Sequence, residues 1–186
     1  MKPLLYLILT LFFLSQCRPK EEHVRSAFVG KPMVPSSIKK EHETLLNLLQ
    51  KILLFQDSTG HTAVKLSELM QHHFKEEEDY VLPPLGLLPM LASGQIPFQS
   101  NEVIVLTEEL KSQLPHLSAE HQMIKAMLDE LLLAAAYNNH PEVPAFAEAV
   151  GKHATEEEEV FFPASILVGD YLKLKSLPGQ PPASKP

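Results

Sequence analysis

The sequence predicts an all-α fold, an up-down four-helix bundle built from an internal two-helix repeat, and three observations carry that expectation. The first is composition: 186 residues with seven glycines, no tryptophan and 45% hydrophobic content, rich in Leu, Ala, Glu and Lys through the middle, favour helix over sheet. The second is a repeat. "HHFKEEEDYVLPPL" (72–85) is answered by "GKHATEEEEVFFPA" (151–164), each with a histidine, a glutamate four residues on and a proline six beyond that. The third is apolar periodicity at helical spacing around both copies. The length suits one domain with a real core. A net charge of −7 without any Lys/Arg cluster speaks against nucleic acid, whose phosphates demand a basic footprint.

Residues 1–16 read as a signal peptide, because Lys2 precedes an apolar run from Leu4 to Leu14 that is short for a membrane span. "LSQC" resembles the lipobox of bacterial lipoproteins, which implies lipidation of Cys17, the single cysteine, and a membrane-anchored protein exported to the cell envelope; Gln16 departs from the small residue usual before that cysteine. Residues 17–36 are polar and proline-bearing and read as a tether; 37–175 form the bundle; 176–186, "SLPGQPPASKP" from Ser176 on, read as a disordered tail.

Within the bundle the helical segments fall at about 37–56, 61–82, 101–137 and 141–168. "DSTG" breaks the first pair and "NNHP" the second, with Pro141 placed for a first helical turn. "PPLGLLPMLASGQIPFQS" between the pairs holds too many prolines and glycines for one helix, and Pro115 should kink or split the third segment.

Set out fully, each half contributes a lone histidine and then a His-x-x-x-Glu: His42 with His73 and Glu77, and His121 with His153 and Glu157. Residues four apart lie nearly on one helical face, so His73 and Glu77 share the stripe of Leu66, Leu69, Met70, Tyr80 and Val81. His153 and Glu157 share that of Phe146, Ala149, Val150, Val160 and Phe161. His42 lies with Ile38, Leu45, Leu46 and Leu49, and His121 with Leu114, Leu117, Ile124 and Leu128. All six polar residues therefore face the core. A buried ionised carboxylate costs several kcal/mol unless something positive accompanies it. Protonated histidines or a pair of metal ions would answer, and two copies in register favour metal.

His72 lies with Glu68, Lys75, Glu76 and Asp79 on the solvated side and is set aside as a ligand, and Glu76, Glu78, Glu156, Glu158 and Glu159 read as solvated charges. His23, His61, His116 and His140 read as caps or surface residues. Glu41 and Glu120 precede the lone histidines, but adjacent helical positions diverge by about 100° and are not expected to reach a ring nitrogen. Tyr80, one turn past Glu77, is either a phenol near the bridge or a core aromatic whose hydroxyl reaches solvent or a carbonyl.

The pattern His, His-x-x-x-Glu, His, His-x-x-x-Glu resembles the hemerythrin-like, or HHE cation-binding, family. The resemblance implies two non-haem iron ions, His42 and His73 on one, His121 and His153 on the other, bridged by Glu77 and Glu157, binding O₂ or NO or serving iron storage or sensing. Imidazole and carboxylate donors suit iron, zinc or manganese better than the all-oxygen sites of Mg²⁺ or Ca²⁺. Oxygen carriers of the family have a further histidine where this chain has Lys125, and His-x-x-x-x-Asp in place of His153 and Glu157, so simple oxygen carriage is not the expectation. A dinuclear metal hydrolase and a metal-free interaction bundle are the competing readings. The ferritin-like Glu-x-x-His pair does not occur.

Overall fold

A computed structural model describes residues 33–97 and 100–177. The signal peptide, Cys17 and most of the tether lie outside the described residues, as does the tail beyond 177. The described residues contain helices and no strand. The order is α1 (Ser36–Ile52), α2 (Ser58–Glu76), a π-helical turn (Glu77–Val81), a 3₁₀ turn (Pro83–Leu87), α3 (Leu88–Ala92), α4 (Ser100–Asn138), α5 (Val143–Glu156), a second π-helical turn (Glu157–Phe161) and α6 (Phe162–Lys175).

α1, α2, α4 and α5 form a closed ring in which α1 packs on α2, α2 on α4, α4 on α5, and α5 back on α1. α6 continues α5 through the π turn and packs against the first part of α4, where Gly169 is required: a Cβ there would stand 1.8 Å from the Thr107 hydroxyl. Neighbouring helices run antiparallel. Asn138 at the end of α4 donates to Ser58 and Thr59 at the start of α2, at 2.8 and 3.1 Å. Asp57 caps α2 by accepting the Thr59 N–H at 2.8 Å, as Asp does at an N-cap. Its other oxygen lies 2.7 Å from His140 Nε2, whose ring stacks on Phe55 with centroids 3.7 Å apart. His140 thus ties the two interhelical turns together, and this bond holds the Asp57 carboxyl below its ordinary value.

Several boundaries differ from the sequence reading. α4 runs unbroken through Pro115, which is exposed; the carbonyl its missing N–H frees is that of half-exposed Lys111, where water can satisfy it, and packing on both sides holds the helix. The last helix begins at Val143 with Pro144 in its first turn, leaving Pro141 in the preceding turn, and the helical path continues past 168 to Lys175. Val160 is 54% exposed and does not belong to the buried stripe. Tyr80, its counterpart in the first π turn, is buried, and in the second half Phe162 takes the inward place.

Three apolar clusters result, the smallest, of Leu87, Val103, Val168 and Leu172, lying between α4 and α6, and the other two flanking the histidines. One gathers Leu45, Leu49, Leu66, Met70, Ile124, Leu128, Phe146 and Val150. The other gathers Ile38, Tyr80, Val81, Leu110, Leu117 and Phe162. On every helix of the ring the histidine stands between a residue of one core and a residue of the other: His42 between Ile38 and Leu45, His73 between Met70 and Tyr80, His121 between Leu117 and Ile124, His153 between Val150 and Phe162. The fold is thus divided by a buried polar belt.

Candidate metal centre

His42, His73, His121, His153, Glu77 and Glu157 are all buried, and their donor atoms converge. They form two overlapping sets, His42, Glu77, His153 and Glu157, and His73, Glu77, His121 and Glu157; within each set the donors lie within 4.8 Å of one another. Every histidine aims Nε2 inward. His42 Nε2 is 3.6 Å from both Glu77 Oε2 and Glu157 Oε1. His153 Nε2 is 2.7 Å from Glu157 Oε1, His73 Nε2 is 3.4 Å from Glu77 Oε1, and His121 Nε2 is 3.3 Å from Glu157 Oε2. The two glutamates belong to both sets, as bridging groups must. The histidines do not divide as the resemblance implied, however. α1 and α5 pair His42 with His153, and α2 and α4 pair His73 with His121, whose Nε2 atoms are 2.9 Å apart. Ring closure of the bundle brings α1 beside α5, so each set draws one histidine from each half of the repeat.

Both glutamates open a π-helical turn, and the first turn is closed by the Leu82 N–H donating to the Glu77 carbonyl at 2.8 Å. Such turns inside α-helices recur at functional sites. The Val81 carbonyl left at the end of that turn accepts from Ser165 Oγ at 2.6 Å, a bond from α6 that holds the turn in place.

Three of the four outward nitrogens are held as well, by glutamates that the sequence reading left in solvent or out of reach. His42 Nδ1 meets Glu78 at 3.1 Å, His121 Nδ1 meets Glu158 at 2.8 Å, and His73 Nδ1 meets Glu120 at 2.8 Å. Glu41 stands 3.5 Å from His153 Nδ1. A carboxylate on the far nitrogen fixes ring orientation and directs the Nε2 lone pair inward. The angular argument against Glu41 and Glu120 fails because each serves a histidine on the neighbouring helix rather than the one beside it in the chain. The repeat itself carried the signal: each lone histidine is preceded by a glutamate, and each inward glutamate is followed by one. His72, with its side chain 61% exposed, takes no part in the centre, as expected. His116 is not a cap but pairs with Glu76 at 3.1 Å.

Without a cation the two bridging carboxylates settle in opposite states. Burial, and after it the Glu157 charge, push Glu77 well above the ordinary carboxylate range. Burial also opposes ionisation of Glu157, but the neighbouring imidazoles of His121, His153 and His42 outweigh it and hold that carboxyl well below the range. His121 and His153 are raised, desolvation being overcome by their carboxylate partners, led by Glu157, whereas burial lowers His73. His42 Nε2, both Glu77 oxygens, His153 Nε2 and Glu157 Oε1 are buried without a hydrogen-bond partner. Native interiors rarely tolerate such orphans, each of which costs about 1–3 kcal/mol. A pair of cations satisfies them together, so the residues present fit two metal ions.

A cleft of about 550 Å³ between α4 and α5 reaches the centre at His121 and Glu158. Ile124, Leu128, Leu132 and Ala147 give it apolar walls, and Lys125 lines it. Tyr80 is buried with its hydroxyl unpartnered, so it reaches neither solvent nor a carbonyl. Burial, and then the charge of Glu76 ahead of Glu109, Glu120 and Glu77, raise the phenol well above its ordinary value.

The chain matches the family described as the hemerythrin HHE cation binding domain over residues 33–165, well over half its length, and belongs to that family. No curated protein and no solved structure matches it.

Proposed function

We propose that this hemerythrin-family chain holds two iron ions between Glu77 and Glu157 and offers them to a diatomic gas, O₂ or NO, or stores or senses iron through the same site. The observation that carries the reading is the pair of donor sets sharing both carboxylates, with His42 Nε2, His153 Nε2, both Glu77 oxygens and Glu157 Oε1 buried and unpartnered. Each set supplies two imidazoles and two carboxylates and no thiolate, a donor set suited to iron. A redox-active pair of ions with open positions supplies the capacity to bind such a gas. The chain supplies the rest: carboxylates hydrogen-bonded to the outward nitrogens of His42, His73 and His121, apolar cores on both sides, and a cleft beside His121 in which Ile124, Leu128 and Leu132 alternate with Lys125, Asp129 and Glu148.

We further propose that the chain works in the cell envelope, exported by residues 1–16 and anchored through lipid on Cys17. Among the described residues no helix is long and apolar enough to cross a membrane. Metabolic labelling with a radioactive fatty acid tests the anchor: label on the wild type and none on Cys17→Ser is expected, and an unlabelled wild type overturns it.

The deciding experiment is metal analysis of protein reconstituted anaerobically with Fe²⁺, followed by separate addition of O₂ and NO while the visible spectrum is recorded. About two irons per chain bound at the buried centre, with a spectral change on adding gas, is expected. A reconstituted protein without bound metal leaves the metal-free interaction bundle as the better reading. A fully loaded centre indifferent to both gases leaves iron storage or sensing.

A further inference from the structure

Outside the buried centre, two more His-x-x-x-Glu pairs face each other. His72 and Glu76 lie on α2, His116 and Glu120 on α4, and one donor atom from each of the four falls within 4.8 Å of the others. Glu76 spans the pair: its Oε1 is 3.7 Å from His72 Nε2 and its Oε2 is 3.1 Å from His116 Nε2. Glu120 Oε1 stands 3.6 Å from His116 Nε2. Two of these three separations are too long for hydrogen bonds. They are close to the spacing of donors that share one ion, since ligands about 2.0–2.2 Å from a tetrahedral cation stand roughly 3.3–3.6 Å apart. We infer that these four residues form a separate mononuclear site for a divalent first-row transition metal at the surface of the α2–α4 seam.

Glu120 distinguishes the cluster from a solvated ion pair. It is only 2% exposed, so its carboxylate is held in place, with Oε2 on His73 Nδ1 at 2.8 Å and Oε1 turned to the cluster. On the outer side the imidazoles of His72 and His116 are 61% and 45% exposed, leaving the ion open to exchange with solvent. Two imidazoles and two carboxylates match zinc, ferrous iron, manganese or cobalt, and the absence of a thiolate leaves no preference for soft ions. Glu120 thus stands between the surface ion and the ring of His73, one carboxylate away from the buried centre. The site itself does not depend on the dinuclear reading.

The test is equilibrium dialysis of the full chain against Zn²⁺ with bound metal counted, repeated with Co²⁺ for its ligand-field absorption, in the wild type and in the double variant His72→Ala, His116→Ala. Both substitutions fall on exposed helical positions, and unchanged helicity and melting temperature establish that the fold is kept. The variant is expected to bind one metal ion fewer than the wild type and to lose one set of Co²⁺ bands. Three ions against two supports this site beside a loaded centre. One against none supports it while removing the dinuclear reading. Equal counts in the two proteins overturn the surface site, whatever the count.

Discussion

At the end of the α1–α2 hairpin Glu77 has two imidazoles beside it, His42 and His73 at 3.6 and 3.4 Å; at the end of the α4–α5 hairpin Glu157 has three, His153, His121 and, from α1, His42, at 2.7, 3.3 and 3.6 Å. The two carboxylates are equivalent in the repeat and opposite in state, one raised and one lowered. The surroundings differ in the same sense. Phe74 stacks on His42 with centroids 4.0 Å apart and planes within 5°, whereas the matching position beside His153 is Ala154, which lines the cleft. At the turn of the first hairpin a Cβ on Gly60 would meet the Phe55 carbonyl oxygen at 2.0 Å, but one on Gly151 would meet nothing within 4 Å. The first half is closed and the second is open. Duplicated donors in unlike surroundings give a site whose chemistry is symmetric and whose access and charge are not.

The largest expected effect breaks that symmetry directly. In chelator-treated protein, Glu157→Gln removes a charge that three histidines hold and should cost about 3–5 kcal/mol in urea denaturation, as loss of one partner from a buried ion pair does. Glu77→Gln should cost less, because burial and the Glu157 charge favour the neutral form of Glu77, which glutamine resembles. Equal losses in the two variants would falsify the assignment of charge to Glu157.

Acid and base should separate the two as well. A lowered carboxyl contributes stability that is present above its unfolded value, near 4.5, and lost as pH falls through the folded value. A raised carboxyl works the other way: the folded state binds the extra proton, so stability declines as pH climbs from 4.5 toward the raised value. Metal-free wild type should therefore lose stability on both sides of the ordinary carboxylate range. Glu77→Gln should remove the Glu77 share of the loss on the alkaline side, leave the share that His121 and His153 contribute, and keep the acid one. His121 and His153 add stability that is fully present below 6.5 and lost as pH rises through their raised values. A Glu77→Gln profile superimposable on the wild type would show that Glu77 is ionised.

Next in size come the carboxylates behind the rings. Glu120→Gln and Glu158→Gln should each weaken metal binding at the buried centre by about 10–100-fold. Buried Glu120 should have the greater effect, since its carboxylate is 3% exposed against 45% for Glu158, where water can substitute. Competitive titration with a chromophoric chelator reads the difference. A reversed order would mean that exposure does not govern how these groups act.

The smallest effects test the closed and open turns. Gly60→Ala forces a methyl against backbone and should cost about 1–3 kcal/mol. Gly151→Ala faces open space on a helix and should gain about 0.5–1 kcal/mol. Thermal denaturation of both variants measures the contrast, which vanishes if α1 and α2 can part to admit the methyl.

The sequence by itself determined the helices, the repeat and the inward set of six donors, because spacing along a helix is a local property: residues four apart share a face wherever the helix goes. Its errors have one physical origin. Pairing His42 with His153 needs α1 to lie against α5, and the service of Glu120 to His73 needs α2 against α4, and no spacing within one helix encodes either contact. Val160 lies at the surface whereas Tyr80, at the equivalent place in the other π turn, is buried, so what packs over each turn and not its register decides exposure there. Opposite charge states in duplicate carboxylates depend on the number of histidines that neighbouring helices bring to each. That number was decided only when four helices closed into a ring, since electrostatic state in a buried site is set by distance through space and not along the chain.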